Sequence, residues 1–177
     1  MRAYASRAPL VAVLVLAVMA ASAGCAGFRP RAAHDSPALR VSDHRSEGDA
    51  VRRASTQLVL TGLDADLSGQ SERAQSQFEL ALAVDPNNPY AYLALARHFA
   101  DGPEPERALP FLDRAEALFG SQEPPNPAVR VHLSGLRGQV GTARSPGSAV
   151  SRHQLEEAAR LAPDIWGDGR LSADEMF

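Results

Sequence analysis

An all-α chain built from paired helices is what this sequence predicts, and three observations carry the prediction. From about Ala50 onward, apolar residues return at helical rather than alternating spacing. Small and bulky residues then recur at an offset of 34: Ala74, Phe78 and Ala81 correspond to Ala108, Leu112 and Ala115, Leu58 to Tyr92, and Gly62 to Ala96. Breakers collect between these runs, at Gly69, at Asp85-Pro86-Asn87-Asn88-Pro89 and at Asp101-Gly102-Pro103.

The opening segment reads as an address. Arg2 and Arg7 precede an apolar or small stretch from Leu10 to Ala23, which ends in Ala21-Ser22-Ala23-Gly24-Cys25. A positive start, an apolar run and small residues before a cut site describe an export signal. Ser22-Ala23-Gly24-Cys25 resembles the lipobox of bacterial lipoproteins. That resemblance implies a signal peptide over 1–24 and a diacylglycerol on Cys25, which becomes the N-terminus. Two other readings stay open: an ordinary cleaved signal with a bystander cysteine, and an uncleaved anchor, since Leu10 to Phe28 is 19 residues long. Lipidation gains from Cys25 being the only cysteine and from its place where the small residues end the apolar run. Ala26 is not an aspartate, which by enterobacterial analogy favours the outer membrane over the inner.

Composition excludes several functions. The 177 residues carry a formal net charge of -3, against the basic surplus a nucleic-acid binder shows. All 18 basic residues are arginines, so no lysine is present for a phosphate loop or a Schiff base. One cysteine forms neither a disulfide framework nor a multi-cysteine zinc site. Removing residues 1–24 takes two arginines and no acid, leaving 16 basic against 21 acidic residues and a net charge of -5. Anionic head groups therefore have no basic patch to meet, and the lipid would do the holding.

Residues 25–48 are expected to be a flexible tether, because Gly27, Pro30, Pro37 and Gly48 interrupt a polar stretch without apolar periodicity. The helical body is expected over 49–163. Gly69 ends its first helix, and Asp85 to Pro89 supplies a stop and then a cap. A later helix starting near Glu106 puts Pro110 in its opening turn, where the missing N–H costs little. A third, altered unit has Val129, Leu133, Leu136 and Val140 on one face, followed by Leu155, Ala158 and Ala159. Leu155 lies 43 residues after Leu112, and the nine extra residues are assigned to a loop from Gly141 to Ala149, shared with Gly120 to Pro127. Six helices follow.

A period of 34, small residues at fixed places and a proline after the second helix resemble the tetratricopeptide repeat (TPR). The resemblance rests on Gly62, Gly69, Ala74, Phe78, Ala81 and Pro86 in the first unit, and on Tyr92, Leu95, Ala96, Phe99, Ala108, Leu112 and Ala115 in the second. It implies about three antiparallel helix pairs stacked as a short solenoid, with a concave wall lined by the first helix of each unit. The residues it places on that wall are Thr56, Val59, Leu63 and Asp66, then Tyr90, Leu93 and Arg97, then Val129, His132 and Leu136. The chain is thereby expected to be a non-catalytic adaptor, lipid-anchored in the bacterial envelope and facing the periplasm. It would bind another envelope protein, as do the TPR lipoproteins that help assemble pili, secretion machines or the outer membrane. Metalloprotease, phosphate-loop and nucleophile-elbow motifs are missing, and His98, His132 and His153 are isolated.

The tail, 164–177, carries one further pattern. Asp164 to Glu175 resembles an EF-hand calcium loop, which implies ligands from Asp164, Asp168, the Arg170 carbonyl, Ser172 and Glu175, with Gly169 at the turn. Trp166 departs from that pattern at a ligand position, and Pro163 interrupts the entering helix. The alternative function is a calcium-responsive envelope protein. The competing structural reading has Ile165 and Trp166 folding over the open end of the last helix pair.

Overall fold

The computed structural model describes residues 39–121 and 126–177. Every regular element among them is helical. Six longer helices are α1 (Ala50–Leu67), α2 (Ser71–Val84), α3 (Pro89–Ala100), α4 (Ala108–Phe119), α5 (Pro127–Arg144) and α6 (Ala149–Leu161). Two single-turn helices follow, α7 (Pro163–Trp166) and α8 (Ala173–Met176), and 3-10 turns form at Val41–His44 and Pro105–Arg107.

Local chemistry sets the boundaries. The Asp49 side chain accepts from the Arg52 amide at the start of α1, and Gly69 turns the chain out of that helix at a φ of 71°. Helices α3 and α5 begin alike. Asn88 and Asn126 accept from the amides of Tyr90 and Ala128, and Pro89 and Pro127 take the first helical position. Pro110 falls in the first turn of α4, behind the 3-10 turn, so no helical hydrogen bond is lost to it.

Consecutive helices pack as pairs: α1 on α2, α3 on α4, α5 on α6. Helix α3 also touches α1 and α2, and α5 touches α3 and α4, so the pairs share one core. The recurring residues lie at those crossings. Ala74, Phe78, Ala81, Ala108, Leu112 and Ala115 are all fully buried. Alanine there lets two backbones approach, and Phe78 and Leu112 fill the space beside the crossings.

Three expectations are corrected. Gly141 to Arg144 is the last turn of α5, not loop, and the connection to α6 is only Ser145 to Ser148. The extra residues lengthen a helix because Gly138 lets α6 lie close: a Cβ there would stand 2.8 Å from the Ser151 carbonyl oxygen. The tether expected over 25–48 is shorter at its C-terminal end, since Leu39 and Val41 are buried in the core. The tail at 164–177 is part of the body: Ile165, Trp166, Leu171 and Met176 are buried. The expected signal peptide (1–24), Cys25 and the first part of the tether lie outside the described residues. Among those described, no helix is long and apolar enough to cross a membrane.

Candidate functional site

The residues expected to bind a partner are buried. Thr56, Val59 and Leu63 on α1, Tyr90, Leu93 and Arg97 on α3, and His132 on α5 are each at most 6% exposed. Val129 and Leu136 are buried with them. The expectation of an open wall is therefore corrected. Helical spacing states which residues share a face but not what lies against it.

The cover is the chain itself. From the N-terminal side, the arm 39–44 packs on α1, and His44 stacks on Tyr90 with ring centroids 4.6 Å apart. From the C-terminal side, α7 packs on α6 and α8 packs on α1. Trp166, fully buried, sits directly over Gly135 of α5, where any Cβ would run into its ring. Its indole N–H points at Nδ1 of His132 at 3.1 Å, and the Leu39 amide points at Nε2 of the same ring at 3.3 Å. Burial pushes the His132 imidazole down to about 4. Ser42 N–H donates to the Phe177 carbonyl at 3.2 Å, joining arm and tail.

Polar residues on this face have internal work. Asn88 caps α3 with its side-chain oxygen and donates its amide to Ser55 at 2.8 Å and Thr56 at 3.4 Å, while Ser55 donates to the Ala81 carbonyl at 2.8 Å. One asparagine thus ties α1, α2 and α3 together. Arg97 pairs with Asp66 and, at 3.2 Å, with Asp101. Burial holds the Arg97 guanidinium below its ordinary value. His98 Nδ1 lies 3.0 Å from Asp66, and burial followed by the neighbouring Arg97 charge keeps its imidazole below the usual histidine range.

These groups line a cleft of about 350 Å³ with Ser71, Gln75 and Arg107, whose guanidinium lies 4.2 Å over the Phe99 ring. An aspartate orienting a histidine is one half of a nucleophile-activating relay. Among the described residues no hydroxyl or thiol hydrogen-bonds His98. Asp66 is instead shared between two cationic-capable neighbours, which keeps a buried arginine compensated.

The calcium reading is corrected here. Asp164 lies in α7 and Glu175 in α8, Asp168 accepts from the Arg170 amide at 3.0 Å, and no three His, Cys, Asp or Glu side chains converge on a metal position among the described residues. Ser172 and Glu175 form a capping box, each side chain accepting from the other's amide, so the oxygens assigned to an ion are used to start a helix. Ile165 and Trp166 pack inward, in line with the competing reading.

Sequence reasoning missed Leu39, Val41 and Met176, while the calcium-loop resemblance had already turned Leu171 toward the core. The only signal was Leu39 and Val41 alternating inside a polar stretch. No family model matches the chain, and no curated protein or solved structure is similar enough to match it.

Proposed function

We propose that this protein is a non-catalytic adaptor, a short helical-repeat scaffold of the TPR kind. In this reading Cys25 carries the lipid that anchors it in a bacterial envelope, facing the periplasm with the outer membrane favoured. Its partner is another envelope protein, and its task is to assist assembly of a pilus, secretion or outer-membrane complex.

The observation that carries the reading is the coincidence of sequence offset and burial. Residues 34 apart occupy equivalent fully buried places in two successive helix pairs, and the first helices of successive pairs touch one another. Stacked pairs present surface for recognition without needing catalytic groups.

Two measurements test it. Mass spectrometry of the mature protein is expected to find Cys25 as the first residue, carrying a diacylglyceryl thioether; an N-terminus elsewhere, or an unmodified thiol, removes the anchor. Affinity purification from detergent-solubilised envelopes is expected to recover one envelope protein in stoichiometric amount, and recovery of the chain alone removes the adaptor role.

A further inference from the structure

The inner face of α1, α3 and α5 holds a peptide already, and one side chain touches both segments that cover it. Residues 163–177 cross from the third helix pair to the first: Trp166 rests on Gly135 of α5, and α8 rests on α1. The arm lies alongside and is stitched to the last residue through Ser42. His132 sits where tail and arm meet, with the Trp166 indole N–H facing one ring nitrogen and the Leu39 amide facing the other.

A neutral imidazole has one lone pair for hydrogen bonding. Two N–H donors therefore compete for a single acceptor: the neutral ring accepts from one of them at a time, and it accepts from either only while it is neutral. The imidazolium has no acceptor at all. A second proton would set N–H against N–H on both sides, inside a site closed to water.

Nothing charged around the ring offsets that cost. Burial is the sole cause of its lowered proton affinity. On the arm, Arg40 and Asp43 are exposed and His44 is stacked on Tyr90. Arg130 on its own helix, Asp164 on α7 and Asp174 on α8 are exposed, and Glu175 is bonded to the Ser172 amide.

We propose that His132 is the latch of a self-occupied docking face: when its ring takes a second proton, the tail and arm leave α1, α3 and α5, and the uncovered surface accepts an apolar helical segment built like the tail. The segment's chemistry is read from the present occupant, which offers Ile165, Trp166, Leu171 and Met176 to the face. The docking half rests on the adaptor reading above, and the latch does not.

The sign follows from the ring's two affinities. In the opened state His132 titrates near its ordinary 6.5, and in the closed state only near 4. Closure is thus fully favoured above about pH 6.5 and progressively lost below it.

The chain contains one tryptophan, so its emission reports Trp166 alone. On lowering the pH of the full chain from 7.5 to 4, the emission is expected to move to the red while the far-UV helical signal keeps its neutral value. Amide exchange in residues 39–44 and 163–177, corrected for pH, is expected to speed up about tenfold or more, with α1 and α2 unchanged. His132→Gln retains an acceptor that does not titrate and is expected to abolish the emission change. Emission and helicity falling together in the unaltered chain, or the same transition in H132Q, would overturn the latch. A labelled peptide of residues 162–177 is expected to bind the chain saturably at pH 4.5 and not at 7.5. Absence of binding to a chain whose tail has opened overturns the docking face while the latch stands.

Discussion

In the first helix pair Gly62 of α1 lies under the ring of Phe78 from α2, with no room for a Cβ. In the third pair Gly135 of α5 lies as tightly under the ring of Trp166. The two seams use one device, a glycine hollow filled by an aromatic ring, but the ring comes from different places. Phe78 belongs to the pair it closes, whereas Trp166 belongs to the tail. The seams differ in their small residues too. Alanines 74 and 81 serve the first pair, and Gly138 and Gly141 serve the third, where a Cβ at either would meet Ser151 of α6. Each interior glycine costs a helix about 0.5–1 kcal/mol relative to alanine. The ring that fills the first hollow is thus supplied within its own pair, and the ring that fills the third is supplied by the tail.

Deleting either ring is the largest way to break this comparison. Phe78→Ala and Trp166→Ala are each expected to cost about 3–5 kcal/mol in urea denaturation, since both side chains are fully buried. Their distribution should differ: native-state hydrogen exchange is expected to show F78A loosening α1 and α2, and W166A loosening α5 and α6. Uniform loosening by both would mean the pairs are not separable units.

Acid sharpens the contrast, because the third pair holds His132 against the tail. The unfolded chain protonates this residue from about pH 6.5 downward and the folded chain only near 4, so stability present above 6.5 falls as pH falls, by about 3 kcal/mol in all. Urea midpoints at pH 7 and 4.5 are expected to converge in H132Q. An unchanged pH slope in that variant would assign the loss to other groups.

The smallest effects come from filling the hollows. Gly62→Ala and Gly135→Ala are each expected to cost about 1–3 kcal/mol by overpacking. Only Gly135→Ala is expected to shift Trp166 emission at neutral pH, and an equal shift from Gly62→Ala would show that the two seams communicate.

The pairing of helices was legible because alanines and bulky residues recur at one offset, and close approach of two backbones leaves few other residue types usable. Asn88-Pro89 was equally readable as a cap, since its chemistry is local. Gly141 misled because glycine marks both a chain break and a helix pressed against its neighbour, and only the position of α6 distinguishes them. The tail misled for a related reason. Asp168, Ser172 and Glu175 sit at calcium-loop spacing, yet Ser172 and Glu175 satisfy backbone amides at the start of α8 and Asp168 satisfies the Arg170 amide ahead of it. The inner-face residues were named from helical spacing, but their cover was legible only in part: Trp166 was read as a cap on the last pair, whereas Leu39, 93 residues from His132, gave no sign of reaching it.

The hydrogen bond from Ser42 to Phe177 sets the two ends of the described chain side by side. Residues 145–147 meanwhile form an exposed link between α5 and α6. A short linker from Phe177 to Leu39, with the cut moved to that link, would give a circular permutant in which α6 comes first and α5 last, with every native neighbour kept. Tail and arm would then adjoin in sequence as one strap.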